Sequence, residues 1–337
     1  MDLFISGIVL VLTAPAILAL VLTCTYFFIV HRYIHFVVRI FTEKPLFIVP
    51  RGELHGAAEK VEILTTGGLR LKGCYLKTPL ARKGVILFGL EFGANRWSCV
   101  PYCEWLQEAG YDIFAIETRN QGESDCQPDY EPLQWITQIE VEDMKSAVAY
   151  LKSRPDADPK GIGFYGISKG AAAGLYSTAQ DPWVRCCVTD GVFAAYTTMV
   201  PFMRQWISIY SKKTWLHVIM PWWFYGLIGL NAIRRTERER PGAHFLHLET
   251  KLKKMRKPWL MIHGEKDNYI KPDMARSLFR LAPGPKWMWL VPGAKHNQAL
   301  PLAGDEFRSR VLGFFDTHLR PTSQEPAPDK SLTASAT

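Results

Sequence analysis

Hydrophobic residues form two different patterns along this chain. Residues 3–30 are one apolar stretch without a charged side chain, whereas residues 61–319 contain short apolar runs separated by longer amphipathic segments. A stretch of the first kind is typical of a membrane span, and the second pattern is typical of a folded domain with a buried sheet. The two parts of the chain therefore predict different surroundings.

The short apolar runs predict strands, and the segments between them predict helices. A β-hairpin is expected over residues 61–78, because Thr66, Gly67 and Gly68 interrupt two runs of strand character. The elements expected after the hairpin are, in chain order, strand 84–90, helix 95–109, strand 112–118, helix 133–152, strand 161–168, a helix from residue 168, strand 184–190, strand 257–263, helix 273–281, strand 286–291 and helix 306–319. Alternating units of this length predict an α/β fold with a mostly parallel central sheet flanked by helices.

The apolar stretch at the start of the chain predicts a transmembrane helix. As a helix, residues 3–30 would be about 40 Å long, which exceeds the ~30 Å thickness of the hydrocarbon core of a bilayer. A cleaved signal peptide is the alternative, with a cleavage site at residues 14–16. Asp2 stands where a signal peptide has a basic residue, and the apolar run is about twice the usual length, so we expect an uncleaved anchor.

The charges that flank this span predict its orientation. No basic residue precedes the span, and basic residues follow it at positions 32, 39, 44 and 51. The positive-inside rule therefore places the body of the protein in the cytoplasm, with residues 1–50 as anchor and juxtamembrane segment. The seven cysteines agree with this compartment, because their odd number and the lack of a C-x-x-C pair favour reduced thiols and give no zinc-ligand spacing.

Composition and charge narrow the class of protein further. With 337 residues, of which 48% are hydrophobic, the chain can bury one large core. Its net charge of +8 suits an anionic membrane surface, and we expect no nucleic-acid partner, because the zinc spacings and RNA-binding strings of such proteins do not occur. Residues 321–337 are rich in Pro, Ser, Thr and Ala, so we expect a disordered tail there.

One segment carries the strongest chemical signal. Residues 161–175 read GIGFYGISKGAAAGL, in which a short strand-like run leads into a G-x-S-x-G pentapeptide and then into small residues typical of a helix start. In that context the pentapeptide is typical of a nucleophile elbow, with Ser168 at the tip of a sharp turn. Its glycines allow the strand and the following helix to approach closely. Ser168 is therefore the candidate nucleophile.

The order of these features resembles that of the α/β-hydrolase superfamily of serine hydrolases, which includes esterases, lipases and serine aminopeptidase-like enzymes. The resemblance covers residues 58–320 and follows the family's order of oxyanion loop, helix, strand, nucleophile elbow, inserted cap, acid and histidine. It implies the α/β-hydrolase fold, with a helical cap inserted at residues 192–256. It implies no metal and no organic cofactor.

The resemblance also implies an acid after the cap. Residues 263–270, HGEKDNYI, are similar to the family's H-G-x-x-D-x-x-I/V pattern and indicate Asp267. Glu265 in the same turn and Asp190 after the preceding strand are alternatives. The acid would orient the catalytic imidazole and stabilise its charged form. His263 would then be a structural part of the turn.

A histidine is implied in the loop after the last strand. Residues 293–296, GAKH, are similar to the family's G-x-x-H ending and indicate His296. It would act as general base towards Ser168 and then as general acid towards the leaving group. The other histidines outside these motifs are expected at the surface, against the membrane or in packing of the cap.

The oxyanion hole is the place where the sequence departs from the family. One donor is expected to be the N–H of Lys169, which follows the nucleophile, and the other the N–H of Phe92, in the loop after strand 84–90. Leu90 and Glu91 replace the family's usual His-Gly in this loop and are alternative donors. The geometry of the loop is therefore open at this point.

Glu91 stands out electrostatically. A carboxylate aimed at the site would oppose a developing oxyanion, so we expect Glu91 to turn away or to pair with Arg96 or Arg119. Residues 119–124, RNQGES, resemble the family's R-G-x-G-x-S loop, which we expect to be a structural turn.

The insertion at residues 192–256 is expected to determine substrate choice. Its residues 215–230 are dense in aromatic and aliphatic side chains, whereas residues 234–257 are strongly basic. Such a segment can pack on the sheet as a cap, form a second transmembrane helix, or act as a lid that dips into the bilayer interface. Together with the anchor, it favours an apolar, membrane-resident ester as substrate and membrane lipids as partners.

These features predict a membrane-anchored serine hydrolase that cleaves a carboxylic ester or thioester with an acyl chain, through an acyl-enzyme. A serine peptidase, a thioesterase or an acyltransferase on the same site is an alternative reaction. A non-catalytic binding scaffold is a further alternative, because Leu90 and Glu91 alter the oxyanion loop.

Overall fold

The structure is a computed structural model that describes residues 2–42, 52–210, 220–240, 242 and 244–319. The predicted disordered tail, residues 43–51 of the juxtamembrane segment and residues 211–219 of the insertion lie outside this described part. The chain divides into two compact units, the smaller formed by residues 1–43 and 199–240 and the larger by residues 44–198 and 241–337.

The larger unit is built around one eight-stranded sheet. Its strands are β1 (Ala58–Leu64), β2 (Arg70–Leu76), β3 (Gly84–Gly89), β4 (Tyr111–Ile116), β5 (Ile162–Ile167), β6 (Val184–Asp190), β7 (Trp259–Gly264) and β8 (Lys286–Val291). The order across the sheet is β1-β2-β4-β3-β5-β6-β7-β8. β1 and β2 form the predicted hairpin, β2 is antiparallel to β4, and the other neighbouring pairs are parallel.

Helices follow most of the strands. The α-helices of the described residues are α1 (Asp2–Thr42), α2 (Cys99–Glu108), α3 (Gln138–Ser153), α4 (Ser168–Thr178), α5 (Ala195–Tyr210), α6 (Trp222–Glu239), α7 (Leu248–Leu252), α8 (Pro272–Leu281) and α9 (Ala299–His318). α1, α6 and most of α5 belong to the smaller unit, and the others belong to the larger one.

Burial on both faces explains the apolar composition of the central strands. Every residue of β3, β4, β5 and β7 is buried. Phe164 and Tyr165, which are neighbours on β5, belong to two different hydrophobic clusters, as expected when successive side chains point to opposite faces of a sheet. Because the parallel strands point the same way, the loops at their carboxyl ends meet at one edge.

The start of α3 differs from the prediction. The helix begins at Gln138 rather than at residue 133, because Thr137 caps it. The Thr137 hydroxyl accepts a hydrogen bond from the N–H of Ile139, and the Glu140 carboxylate accepts one from the N–H of Thr137. Such a capping box satisfies amide groups that a helix leaves unpaired at its start.

The last helix also differs from the prediction. α9 begins at Ala299 rather than at residue 306, and it continues through a kink at Gly304, where φ is 51°. Glycine adopts this left-handed conformation at little steric cost, so the helix resumes on the far side of the kink.

A buried ion pair fixes the loop after β4. Arg119 donates hydrogen bonds to the carboxylate of Asp143 from its backbone N–H at 2.8 Å and from Nε at 2.9 Å, and Asp143 is fully buried. The hydroxyl of Ser124 in the same loop donates to the carbonyl oxygen of Glu117. These bonds support the structural role expected for residues 119–124.

In the smaller unit, α1 packs against α6. Its segment Thr13–Arg39 is long and apolar enough to cross a membrane, by length and composition alone. Residues 13–21 are all exposed, whereas from residue 22 onwards shielded positions recur every three or four residues. Tyr26 receives a hydrogen bond from the amide of Asn231 on α6, and its ring contacts that of Phe224. The second half of α1 therefore has a packed side.

The Arg119–Asp143 pair is expected to be a large contributor to stability. Replacing Arg119 by leucine should lower the free energy of unfolding by about 3–5 kcal/mol, because it leaves the buried Asp143 carboxylate without its counter-charge. Arg276→Leu is the matched control, since it breaks an exposed pair with Asp273 and should cost less than about 1 kcal/mol. Urea denaturation in detergent, followed by tryptophan fluorescence, measures both. Equal, small effects of the two substitutions would contradict this account of the loop.

Candidate active site

The turn between β5 and α4 presents Ser168. β5 ends at Ile167 and α4 begins at Ser168, whose φ of 51° lies in the left-handed region. This conformation is strained for a residue other than glycine, and strain of this kind is typical of functional turns. A Cβ on Gly170 would lie 2.2 Å from the carbonyl oxygen of Leu90. Only glycine therefore lets α4 approach the loop after β3 so closely.

Ser168, His296 and Asp267 come together from the loops that follow β5, β8 and β7. Ser168 Oγ lies 3.0 Å from His296 Nε2, and His296 Nδ1 lies 2.6 Å from Asp267 Oδ2. When the N–H at Nδ1 donates a hydrogen bond to Asp267, Nε2 carries no proton and can accept that of the serine hydroxyl. The three residues that the family resemblance implies thus form one continuous hydrogen-bonded chain.

Asp267 is held in place by its own turn. Its Oδ1 accepts hydrogen bonds from the N–H groups of Tyr269 at 2.8 Å and Ile270 at 2.9 Å, which leaves Oδ2 for His296. His263 Nε2 lies 2.7 Å from the carbonyl oxygen of Ile270, and burial lowers the pKa of this imidazole. His263 therefore supports the turn of the acid as a neutral ring.

The two alternative acids are placed differently. Glu265 is exposed and accepts a hydrogen bond from the N–H of Gly293 at 3.0 Å. Asp190 ends β6 in full burial, and neither of its carboxyl oxygens has a hydrogen-bond partner among the described residues. Burial raises the pKa of Asp190 to about 7. Asp267 is therefore the carboxylate that meets His296.

The two expected oxyanion donors lie on adjoining segments. The close approach of Gly170 to Leu90 brings the loop that contains Phe92 against the first turn of α4, where Lys169 follows the serine. Within the described part of the chain, the N–H of Phe92 forms no hydrogen bond with another protein group, and the N–H of Lys169 is one of the first four of α4, which have no partner within the helix. Both are therefore available as donors.

The side chain of Lys169 belongs to a buried network that the sequence does not reveal. Its Nζ donates hydrogen bonds at 2.5 Å to Glu140 Oε1 and at 2.5 Å to the carbonyl oxygen of Leu133. Burial of Glu140 opposes ionisation, but the charge of Lys169 and the hydrogen bonds outweigh it and lower the pKa of this carboxyl. The T-x-x-E string at residues 137–140 is a visible signal of the helix cap, but it does not indicate the lysine that meets it.

The expected pairing of Glu91 with a cation is wrong. This carboxylate is buried, and among the described residues it pairs with neither Arg96 nor Arg119. It accepts hydrogen bonds from the hydroxyl of Tyr102 at 2.8 Å and from the side-chain amide of Asn297 at 2.6 Å. Burial raises the pKa of Glu91, and both hydrogen bonds act in the opposite direction. Neutral donors therefore take the place of the expected cation.

The cysteines and the possible metal ligands were compared with the needs of a thiol or metal site. The seven cysteines are free, and burial raises the pKa of the thiols of Cys103 and Cys186. Among the residues that the structure describes, no group of three or more His, Cys, Asp or Glu side chains is arranged to hold a metal ion.

Comparisons of the sequence find distant similarity. No family model matches the chain. The uncharacterized protein YfhR of Escherichia coli O157:H7 is 24% identical over 291 residues, which cover 82% of this chain and 88% of YfhR. The thiohydrolase aneE of Aspergillus aculeatus is 31% identical over 131 residues, or 39% of this chain and 40% of aneE. The polyketide transferase claH of Penicillium crustosum is 32% identical over 148 residues, or 40% of this chain and 44% of claH.

Comparisons of the structure show the fold. The esterase Pf2001 of Pyrococcus furiosus matches with a TM-score of 0.59 and 20% identity, over 82% of this chain and 96% of Pf2001. The α/β hydrolase GrgF of Penicillium sp. sh18 matches with a TM-score of 0.55 and 20% identity, over 78% of this chain and 99% of GrgF. The chain therefore has the α/β-hydrolase fold, with a mixed sheet and flanking helices.

The buried carboxyl of Asp190 predicts a pH-dependent stability. Its folded-state pKa of about 7 lies above the ordinary value of 3.8, so the folded protein holds this proton more tightly than the unfolded chain does. The resulting stabilisation is present below about pH 4 and is lost as the pH rises towards 7. Asp190→Asn removes the titration. Relative to this variant, the wild type should lose up to about 1.4 kcal/mol per pH unit across that interval.

Urea denaturation of the wild type and of Asp190→Asn at pH 5 and pH 7 measures this loss. A difference between the two proteins that stays constant with pH would contradict the raised pKa of Asp190.

Proposed function

We propose that this protein is a serine hydrolase that cleaves a carboxylic ester or thioester of an acyl chain, through an acyl-enzyme on Ser168. The observation that carries the proposal is the hydrogen-bonded chain from Ser168 through His296 to Asp267, which begins on a left-handed turn of an α/β-hydrolase fold. A serine hydroxyl next to a histidine, and an acid that orients the histidine, are the parts that nucleophilic acyl transfer requires.

The first half-reaction acylates the serine. His296 Nε2 takes the hydroxyl proton while Ser168 Oγ bonds to the carbonyl carbon of the substrate. The carbonyl oxygen becomes negative and accepts hydrogen bonds from the N–H groups of Phe92 and Lys169. The intermediate collapses as the bond to the leaving group breaks, and the imidazolium returns its proton to the departing alcohol or thiol. Asp267 stabilises the imidazolium without taking the proton.

The second half-reaction frees the serine. His296 takes a proton from a water molecule, whose oxygen bonds to the acyl carbon. The second tetrahedral intermediate collapses to the carboxylic acid, and the imidazolium returns the proton to Ser168 Oγ. An acceptor alcohol, thiol or amine in place of water would make the same acyl-enzyme the intermediate of a transfer reaction.

Transfer to an acceptor other than water is a second candidate function. The partial relatives aneE and claH carry the names of a thiohydrolase and a polyketide transferase, so both outcomes are named among proteins similar to this chain. The acylaminoacyl peptidase of Pyrococcus horikoshii is similar in structure, with a TM-score of 0.56 and 16% identity over 81% of this chain and 43% of the peptidase. Cleavage of a peptide bond is therefore a further reaction to test.

The proposal includes a membrane anchor. Large apolar side chains of α1 are exposed, among them Leu20, Phe27 and Phe28, each more than 60% exposed. An apolar surface of this kind is covered by lipid at less cost than by water. The basic residues that follow the span favour a cytoplasmic position for the larger unit.

α6 adds an amphipathic surface to the anchor. Trp223, Leu227, Arg234 and Arg238 are exposed at helical spacing, so one stripe changes from apolar in the first half of the helix to basic in the second. Such a stripe suits the boundary between acyl chains and headgroups, where arginines meet lipid phosphates.

The direction of α6 agrees with that placement. Tyr26 of α1 meets Asn231, and Val30, one turn later, lines a pocket with Arg235 and Arg238. Successive turns of α1 thus meet successive turns of α6, so the two helices run in the same direction. With the C-terminal end of α1 towards the cytoplasm, the basic end of α6 would lie at the cytoplasmic headgroups and its tryptophan end deeper in the bilayer.

The reaction is tested by replacing the nucleophile. Ser168→Ala should lower kcat at least about 1000-fold on p-nitrophenyl esters and acyl thioesters of increasing chain length, because no other group in the proposed mechanism bonds to the acyl carbon. Circular dichroism of the variant serves as the control for folding. Turnover that survives in a folded Ser168→Ala protein would refute the assignment, and cleavage restricted to amide substrates would favour the peptidase.

The membrane placement of α6 is tested by thiol labelling. In a Cys24→Ser/Cys126→Ser background, Trp223→Cys should be protected from a membrane-impermeant maleimide in open membrane fragments, and Arg238→Cys should react. Detergent should expose both positions. Equal reactivity of the two thiols in membranes would contradict the proposed depth of α6.

A further inference from the structure

Glu91 connects two loops of the candidate active site. It belongs to the oxyanion loop, residues 90–92, which follows β3. Its Oε2 accepts a hydrogen bond at 2.6 Å from the side-chain amide of Asn297, which belongs to the histidine loop, residues 292–298, after β8. Its Oε1 accepts a hydrogen bond at 2.8 Å from the hydroxyl of Tyr102 on α2. One carboxylate thus bridges both loops and a helix.

Each end of the Glu91–Asn297 bond adjoins a residue of the proposed mechanism. Glu91 directly precedes Phe92, whose N–H is the proposed oxyanion donor, and Asn297 directly follows His296. A change in the position of either side chain is therefore transmitted through a single peptide unit to the donor or to the base.

The backbone and surroundings of Asn297 confine its side chain. Its φ is 56°, in the left-handed region that asparagine tolerates better than most residues. A Cβ on Gly191 would lie 2.7 Å from Asn297 Oδ1 and 3.2 Å from His296 Cε1. The amide therefore fits between the backbone of Gly191 and the carboxylate of Glu91, and its oxygen has no hydrogen-bond partner among the described residues.

Both partners of Glu91 donate to it, since the Tyr102 hydroxyl and the Asn297 amide each give a hydrogen bond to one carboxylate oxygen. A leucine has a similar size and no accepting atom, so it would remove both hydrogen bonds.

We propose that Glu91 and Asn297 are positioning residues, whose hydrogen bond holds the oxyanion loop and His296 in the relative arrangement that acyl transfer needs. The inference rests on the proposed function, because it concerns turnover at Ser168. It predicts a loss of kcat with KM nearly unchanged when the bond is broken, since the change affects the base and the oxyanion donor rather than the contacts of the acyl chain.

The test compares the full-length wild type in detergent with Glu91→Leu, Asn297→Gly and the double variant. Hydrolysis of p-nitrophenyl butyrate gives kcat and KM for each protein. Each single substitution should lower kcat about 10-fold to 100-fold, the range expected for one lost hydrogen bond to a charged group. The double variant should be no slower than the slower single variant, because both substitutions remove the same bond. Glycine keeps the left-handed backbone accessible, so Asn297→Gly reports on the amide.

Asn120→Gly is the matched control. Asn120 is also left-handed, with φ of 62°, and its amide donates to the carbonyl oxygens of Gln127 and Tyr130 in a turn outside the proposed mechanism. This substitution should lower the melting temperature and leave kcat unchanged below the transition. Effects of Glu91→Leu and Asn297→Gly on melting temperature alone, a rise in KM at constant kcat, or losses that multiply in the double variant would overturn the proposal.

The failure of this proposal is distinguishable from failure of the proposed function. If the wild type hydrolyses the ester in a Ser168-dependent way while Glu91→Leu and Asn297→Gly match it in kcat, only the positioning role is wrong. If the wild type shows no turnover, or Ser168→Ala retains it, the proposed function is wrong and the positioning role is overturned with it.

Discussion

The close approach of α4 to the end of β3 is the constraint on which the candidate site depends. A Cβ on Gly170 would lie 2.2 Å from the carbonyl oxygen of Leu90, and a Cβ on Gly89 would lie 2.6 Å from the carbonyl oxygen of Gly170. Backbone therefore meets backbone at this point, and larger residues would separate the two segments. The approach brings the loop that contains Phe92 close to the strained turn at Ser168, so the proposed nucleophile and the proposed oxyanion donor have a common support.

Around this support the protein buries several carboxyl groups and accommodates each in a different way. Glu140 meets the ammonium group of Lys169, and Asp267 accepts two backbone N–H groups together with the imidazole. Glu91 accepts two neutral donors, whereas Asp190 has no hydrogen-bond partner in the described part of the chain and its pKa rises to about 7. Burial without a partner favours the neutral acid, so these environments leave Asp267 as the carboxylate suited to stabilise an imidazolium.

Local patterns allowed much of the fold to be predicted from the sequence. The β1–β2 hairpin and the parallel strands follow from short apolar runs. Ser168, Asp267 and His296 each lie in a short motif, and the order of these motifs along the chain indicates their roles. The start of α3 was predicted too early, because apolar residues before Thr137 continue the helical pattern although the capping box ends it. The start of α9 was predicted too late, because Gly304 interrupts the pattern although the helix continues through it.

The partners of Glu91 could not be predicted in the same way. Tyr102 is 11 residues away and Asn297 is 206 residues away, and both are neutral, so a search for opposite charge led to Arg96 and Arg119 instead. The Lys169–Glu140 pair has opposite charges, but 29 residues separate its members and each already has a role in a local motif. Contacts of this kind depend on where the parallel strands place their loops, which periodicity does not specify.

The central claim is that His296 and Asp267 together activate the hydroxyl of Ser168 as a nucleophile. The most direct measurement is the reaction of the detergent-solubilised wild type and of Ser168→Ala with a fluorophosphonate, followed by intact mass spectrometry. The account predicts one adduct per wild-type chain, located on Ser168, and none on the variant. A folded wild type that stays unlabelled, or a Ser168→Ala protein that is labelled to the same extent, would contradict it.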